Sequence, residues 1–279
     1  MVALTRFSTD GTDDLVGVVD GREVAPLGSW REFFRPGFGF DTAMLEPPRR
    51  TRLAPSIPLG DVKLLPPVQP AKIVGIGGNY LEHLHQAGIF EVDPVPTMFS
   101  IMPNALASHG SDILLTPFTK ELDYEAELAV VIGRHTKSVA EDAALGSVFG
   151  YACANDVSAR DWQVGKNNWV FGKSADTFFP IGPVLVTADS IDDPQNLMIR
   201  SYVNGECRQD ASTSDMIHSV AKIISLISDA VTLEPGDVIS TGTPGGVGRF
   251  RKKLLENGDV IDIDISGIGR LSNTVRSLP

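Results

Sequence analysis

The fold class predicted from the sequence is α+β with strands dominant, and three observations predict it. Short apolar or alternating runs recur along most of the chain. Asp-Gly and Asn-Gly pairs punctuate them, and only a few stretches carry helical periodicity. With 279 residues the chain has room for one large domain and a small one, and 42% hydrophobic with 21% charged side chains is an ordinary globular composition.

The first 30 residues predict a small meander. Val2 to Phe7, Asp14 to Val19 and Glu23 to Pro26 are β-like pieces, separated by Asp10-Gly11 and Asp20-Gly21. Ser29 to Phe40 is aromatic and turn-rich, and Asp41 to Leu45 reads as a helix start. Pro55 to Pro70 holds five prolines and one glycine, which makes it the expected boundary between a small domain, 1–68, and a larger one, 69–279.

Lys72 to Ile76 reads as a short buried strand followed by Gly77-Gly78. Asn79 to Gly88 then reads as a helix with an Asn N-cap and a glycine stop. On it Asn79, His83 and Gln86 would share a side, and His83 is a candidate general base; a solvated surface histidine is the competing reading. Pro94 to Pro103 reads as loop, which would let residues 79–93 act as a lid. The Gly77-Gly78 turn lacks the G-x-G-x-x-G pattern, so a dinucleotide loop is rejected.

Leu122-Asp123-Tyr124-Glu125-Ala126-Glu127 runs into the apolar stretch Leu128 to Ile132, ending at Gly133. Alternation puts Glu125 and Glu127 on one strand face, roughly 6–7 Å apart, where each raises the pKa of the other unless a cation intervenes. Hard oxygen ligands favour magnesium, manganese or calcium, and Asp156, 29 residues beyond Glu127, is the candidate third ligand. The alternative is a wet edge strand, with Asp156 capping a helix that starts near Ser158.

Further on, Lys137 to Leu145 reads as a helix and Val148 to Ala154 as a strand. Arg160 to Lys173 carries Trp162, Gln163, Trp169 and Phe171, which suit either a binding loop or a satellite core cluster. Lys173 is a candidate partner for a carboxylate or enolate, against the usual fate of lysine as a solvated residue. Val184 to Val186 and Leu197 to Val203 read as strands, with a hairpin at Asn204-Gly205 returning through Glu206 to Gln209. Thr213 to Leu226 has helical periodicity. The glycine-rich loop from Gly242 to Gly248 offers amides and the Thr243 hydroxyl to a carboxylate, or is simply a structural turn. Val260 to Ile265 and Leu271 to Val275 complete the strands.

Net charge is −11, which argues against nucleic acid and anionic membranes as partners. No apolar run approaches a membrane span and Met1 to Asp20 lacks signal-peptide order, so the expected address is cytoplasmic. Cys153 and Cys207 have no metal-binding spacing and read as small core residues.

In order along the chain, Gly78-Asn79-Tyr80 with His83, Leu122 to Glu127, Asn155 to Asp161, Gly172-Lys173-Ser174, Val203 to Glu206 and Thr241 to Gly248 resemble the fumarylacetoacetate hydrolase family. The resemblance covers about Lys72 to Val247. It implies a mixed β-sandwich roll with a small N-terminal domain, a homodimer, and magnesium or manganese held by Glu125, Glu127 and Asp156, with calcium as a substitute. It also implies a small-molecule 2-oxo acid or 1,3-diketone as ligand, with His83, Lys173 and Gln86 as catalytic candidates and Asn79, Tyr80, Gln163, Thr243 and Arg160 at substrate.

The activity first expected is hydrolysis of a carbon–carbon bond in a β-diketone or acylpyruvate-like compound. The alternative is decarboxylation or tautomerisation of an oxaloacetate-type 2-oxo acid, and the third reading is a silent binding protein. Two departures bear on the choice. Many small hydrolytic relatives carry a glutamate where Gln86 stands, and relatives commonly carry a lysine where Ile101 stands, a loss that points to a less anionic substrate or a shifted role for His109.

Overall fold

A computed structural model describes residues 1–36, 39–45 and 55–278. Residues 37 and 38 of the aromatic stretch lie outside them. Among the described residues, the strands Ala3–Thr9, Thr12–Asp20 and Glu23–Ser29 form the expected meander, pairing Leu4 with Val18 and Val18 with Ala25. The meander continues into the larger sheet, because Leu4 pairs with Leu185 of the strand Leu185–Thr187. It carries its own apolar cluster around Trp30, Phe33 and Phe34, with Phe149 of the larger sheet packed against it.

Beyond Leu185–Thr187 the sheet runs through Val148–Asn155, Ala126–Ile132, Val238–Ser240, Ile73–Gly77 and Thr97–Ile101. Ala126–Ile132 is therefore central, and every one of its residues is buried. A wet edge strand is excluded by that position. A second sheet joins Asp112–Leu115, Gly269–Ser277, Val260–Ile265, Met198–Val203 and Glu206–Ser212. Leu128, Val130 and Cys153 of the first sheet share one core with Ile199, Ile263 and Leu271 of the second. The two layers are thus joined by burial of the alternating inner faces.

Several elements differ from the sequence expectation. Thr97–Ile101 is a strand inside the stretch that reads as loop, since pairing with Ile73–Gly77 outweighs the flanking prolines. The helix expected over Lys137 to Leu145 shrinks to Glu141–Ala144, after a left-handed Ser138 at φ 48°. The helix expected from Thr213 begins at Val220, where Ser219 accepts a hydrogen bond from the Lys222 amide, and it runs to Ala230. Cys207 is exposed rather than core. No helix among the described residues is long and apolar enough to cross a membrane.

Candidate metal centre and active site

The antiparallel register of two central strands assembles the acidic group. Ala126 pairs with Asn155 and Glu127 with Ala154, so the next step outward sets Glu125 opposite Asp156. The Asp156 amide donates to the Glu125 carbonyl at 2.9 Å, and the Glu125 amide donates to Asn155 Oδ1 at 3.0 Å. Glu125 itself falls in a break between the two-residue strand Leu122–Asp123 and Ala126–Ile132. Oxygens of Glu125, Glu127 and Asp156 lie within 4.8 Å of one another, and all three residues are buried.

Two cations meet these carboxylates. Lys173 ends the short helix Trp169–Lys173, and its Nζ lies 2.6 Å from both Glu125 Oε2 and Asp156 Oδ2. Arg160 Nε donates to Asp123 Oδ2 at 2.9 Å, Nη1 donates to Gln163 Oε1 at 2.8 Å, and Nη2 forms an ion pair with Glu125 at 2.7 Å. Among the described residues Asp123, Glu125 and Asp156 are each ion-paired to Arg160 or Lys173 and Glu127 to neither, so four buried carboxyls share two cations.

The pKa values follow that imbalance. Burial would raise Glu125, but Lys173 and Arg160 overcome it and hold the group at about 2. Burial raises Asp156 to about 6 against the pull of Lys173. Glu127 is pushed well above its ordinary value, first by burial and then by Asp156 and Glu125. Its Oε2 accepts from Ser240 Oγ at 2.5 Å and from the Gly242 amide at 2.8 Å. Asp156 Oδ1 is buried with no hydrogen-bond partner among the described residues. An orphaned carboxylate oxygen inside an all-oxygen donor set fits a hard divalent cation such as magnesium or manganese.

Beside the triad, a narrow space is lined by Glu125, Glu127, Lys173, Gln163, Thr243 and His83. It adjoins a cavity of about 550 Å³ that shares His83, Gln163 and Trp169 and adds Arg160, His218 and Arg249. His83 is half-buried on the helix Leu81–Gln86. Its Nδ1 is shut from solvent without a partner among the described residues, and burial lowers its pKa. The aromatic stretch divides: Trp169 lines the cavity, whereas Trp162 stacks on Phe118 at 4.6 Å as a satellite cluster.

Other candidates are placed differently from the sequence expectation. Asn79 is outside the helix, and its amide joins His218 and Thr241 of the backbone, which makes it a brace between elements. The N-cap position falls to Tyr80, whose hydroxyl is buried without a partner among the described residues and does not line either cavity. Gln86 donates to Glu82 at 3.1 Å and accepts from the Gly246 amide at 2.9 Å, so it ties the lid helix to the glycine loop and not to His83. A Cβ at Gly245 would lie 2.6 Å from Glu82 Cδ and would displace that side chain.

The glycine loop spends its amides inside the chain. Gly242 serves Glu127, Gly248 and Arg249 serve Asp123, and Thr243 accepts from Gln209 at 2.8 Å. Ile101 is fully buried in the core. His109 accepts from the Ser272 amide and lines a separate cavity with Lys63 and Arg270, so it takes no part in this site.

Asp123, Ser240, Gln209 and Arg249 were not singled out by sequence reasoning. For Asp123 a signal existed: it stands in the same acidic stretch as Glu125, and a carboxylate amid buried strand residues implies a buried partner. The other three act through contacts distant in sequence.

A family model described as fumarylacetoacetate (FAA) hydrolase C-terminal matches residues 72–276. The mitochondrial oxaloacetate tautomerase FAHD2A of Bos taurus is 43% identical over 226 residues, covering 79% of this chain and 72% of that protein. Its Xenopus laevis counterpart, fahd2, is 44% identical over 220 residues, covering 77% and 69%. Among solved structures, a 2-hydroxyhepta-2,4-diene-1,7-dioate isomerase from Mycobacterium marinum matches with TM-score 0.81 and 34% identity over 99% of both chains. A fumarylacetoacetate hydrolase from Exiguobacterium antarcticum matches with TM-score 0.84 and 35% identity over 100% of both.

Proposed function

The chain belongs to the fumarylacetoacetate hydrolase family, and from that premise we propose that it is a divalent-metal-dependent tautomerase of an oxaloacetate-type 2-oxo acid. The observation that carries this reading over hydrolysis is Gln86. Its amide is committed to Glu82 and Gly246, and among the described residues no carboxylate hydrogen-bonds His83 Nδ1 to orient the imidazole while water is activated. The relatives named as oxaloacetate tautomerases support the same choice. Hydrolysis, the activity first expected from the sequence, takes second place.

Glu125, Glu127 and Asp156 would hold the ion, and a bound divalent cation would supply a Lewis-acidic seat that favours the enolate form of a keto oxygen. Lys173, fixed between Glu125 and Asp156, sets a positive charge beside the space where the enolate develops. His83, kept neutral by burial, takes the proton from the carbon next to the keto group. The C–H bond breaks, His83 passes the same proton on to the enolate oxygen to form the O–H bond, and no water is consumed. Gln163 contributes its amide, oriented by Arg160 through its oxygen. The oligomer we infer is a homodimer.

The test is to mix purified protein and magnesium with enol-oxaloacetate and follow loss of enol absorbance, with acetylpyruvate cleavage and carbon dioxide release as parallel assays. Tautomerisation should exceed both by orders of magnitude. Faster cleavage of acetylpyruvate would return the hydrolase reading. Gln86→Glu should raise cleavage relative to tautomerisation; an unchanged ratio would remove Gln86 from the argument.

A further inference from the structure

Arg249 is a cation of the larger cavity that the reaction above does not use. Its backbone is anchored close to the acidic centre. The Arg249 amide donates to Asp123 Oδ2 at 2.9 Å, the same oxygen takes Arg160 Nε, and Arg160 reaches Glu125. The side chain is exposed and lines the cavity. Its guanidinium lies 5.9 Å from the Phe250 ring, and Phe250 in turn meets His83 edge-on at 5.7 Å.

The remaining cations here are committed, Arg160 to Asp123, Glu125 and Gln163, and Lys173 to Glu125 and Asp156. No ion pair of Arg249 occurs among the described residues. Glu91 and Asp93 also line this cavity.

We propose that Arg249 receives the second carboxylate of a 2-oxo dicarboxylate and so selects dicarboxylic over monocarboxylic substrates. In a four-carbon 2-oxo diacid the second carboxylate is carried by the very carbon that gives up its proton. A substrate whose reacting carbon faces His83 therefore directs that carboxylate past Phe250 toward Arg249. A guanidinium matches a carboxylate with two parallel N–H donors, which a lysine or glutamine cannot reproduce. The proposal rests on the tautomerase reading and narrows its substrate class.

Two substrates and two variants test it. Ketonisation of enol-oxaloacetate and of enol-phenylpyruvate, a monocarboxylate, is measured with magnesium for the wild type, Arg249→Gln and Arg249→Lys. The expected result for Arg249→Gln is a KM for oxaloacetate raised about 10- to 100-fold with kcat within about threefold, and phenylpyruvate kinetics unchanged. Arg249→Lys should recover part of the loss. Equal effects on both substrates would overturn the proposal in favour of a lid contact to Glu91 or Asp93, and no effect on either would overturn it outright.

Calorimetric titration with malate and lactate, which do not enolise, reads Arg249 apart from turnover. If the wild type ketonises neither substrate, the tautomerase reading fails. The Arg249 proposal then stands or falls on whether Arg249→Gln weakens malate binding without changing lactate binding.

Discussion

Replacing Glu127 by glutamine should stabilise the metal-free protein while abolishing its response to metal. Glu127 shares a buried space with Glu125 and Asp156, with oxygens within 4.8 Å. At an effective dielectric of about 20, two like charges at that range cost about 3 kcal/mol or more. The protein escapes part of this by keeping Glu127 protonated, which is why burial and the neighbouring carboxylates push its pKa well above 4.5.

The sign follows from proton counting. Above pH 4.5 the unfolded chain releases this proton while the folded chain keeps it, so wild-type stability falls as pH rises, up to the folded pKa. Each pH unit in that window costs about 1.4 kcal/mol, a cost the glutamine variant does not bear. Glutamine retains an acceptor for Ser240 and Gly242, so the local hydrogen bonds survive.

Urea unfolding in EDTA, followed by tryptophan fluorescence between pH 5 and pH 8, should show Glu127→Gln more stable than wild type, with the gap widening by about 1.4 kcal/mol per pH unit until the folded pKa of Glu127 is passed. Magnesium at about 100 times its Kd should add about 2.7 kcal/mol to the wild type and little to the variant. A variant less stable than wild type in EDTA would mean that Glu127 serves as a structural hydrogen-bond acceptor, and the reasoning would be refuted.

Other consequences can be measured with standard tools. His83→Ala should lower keto–enol exchange by about 10²- to 10⁴-fold and any acetylpyruvate cleavage further still, because only cleavage needs an activated water; equal losses would count against that role. Since burial holds His83 below 6.5, the acid limb of kcat/KM should fall below pH 6.5, and a limb above pH 7 would contradict it. Asp123→Ala strands Arg160 Nε and the amides of Gly248, Arg249 and Tyr124. The urea midpoint should report a loss of about 3–5 kcal/mol, the cost of breaking a buried ion pair; a loss below about 1 kcal/mol would show that the pair is dispensable.

Much of the fold was legible because strand patterning is local. The meander, the Asn204-Gly205 hairpin and the apolar run after Glu127 each announce themselves within about ten residues. Errors arose where a residue of ordinary local type serves a distant contact. Asn79 stands where an N-cap is expected, yet its amide binds backbone 139 and 162 residues away. Thr97–Ile101 looks like loop from its prolines and becomes a strand because Ile73–Gly77 offers it a free edge. His109, proposed to answer for Ile101, is drawn to Ser272 in another part of the molecule.

The sequence by itself determined the chemistry available: hard oxygen donors in a Glu-x-Glu stretch, a third acid after a strand of small residues, and a lysine and histidine in motifs that identify the family. Tertiary structure alone decided how they meet. The pairing of Ala126 with Asn155 sets Asp156 against Glu125, Lys173 enters between them from a separate helix, and Gln86 turns from His83 to the glycine loop. Such contacts leave no periodic trace in the chain, because they follow from strand register and loop closure over tens of residues, not from the neighbours each residue has along the backbone.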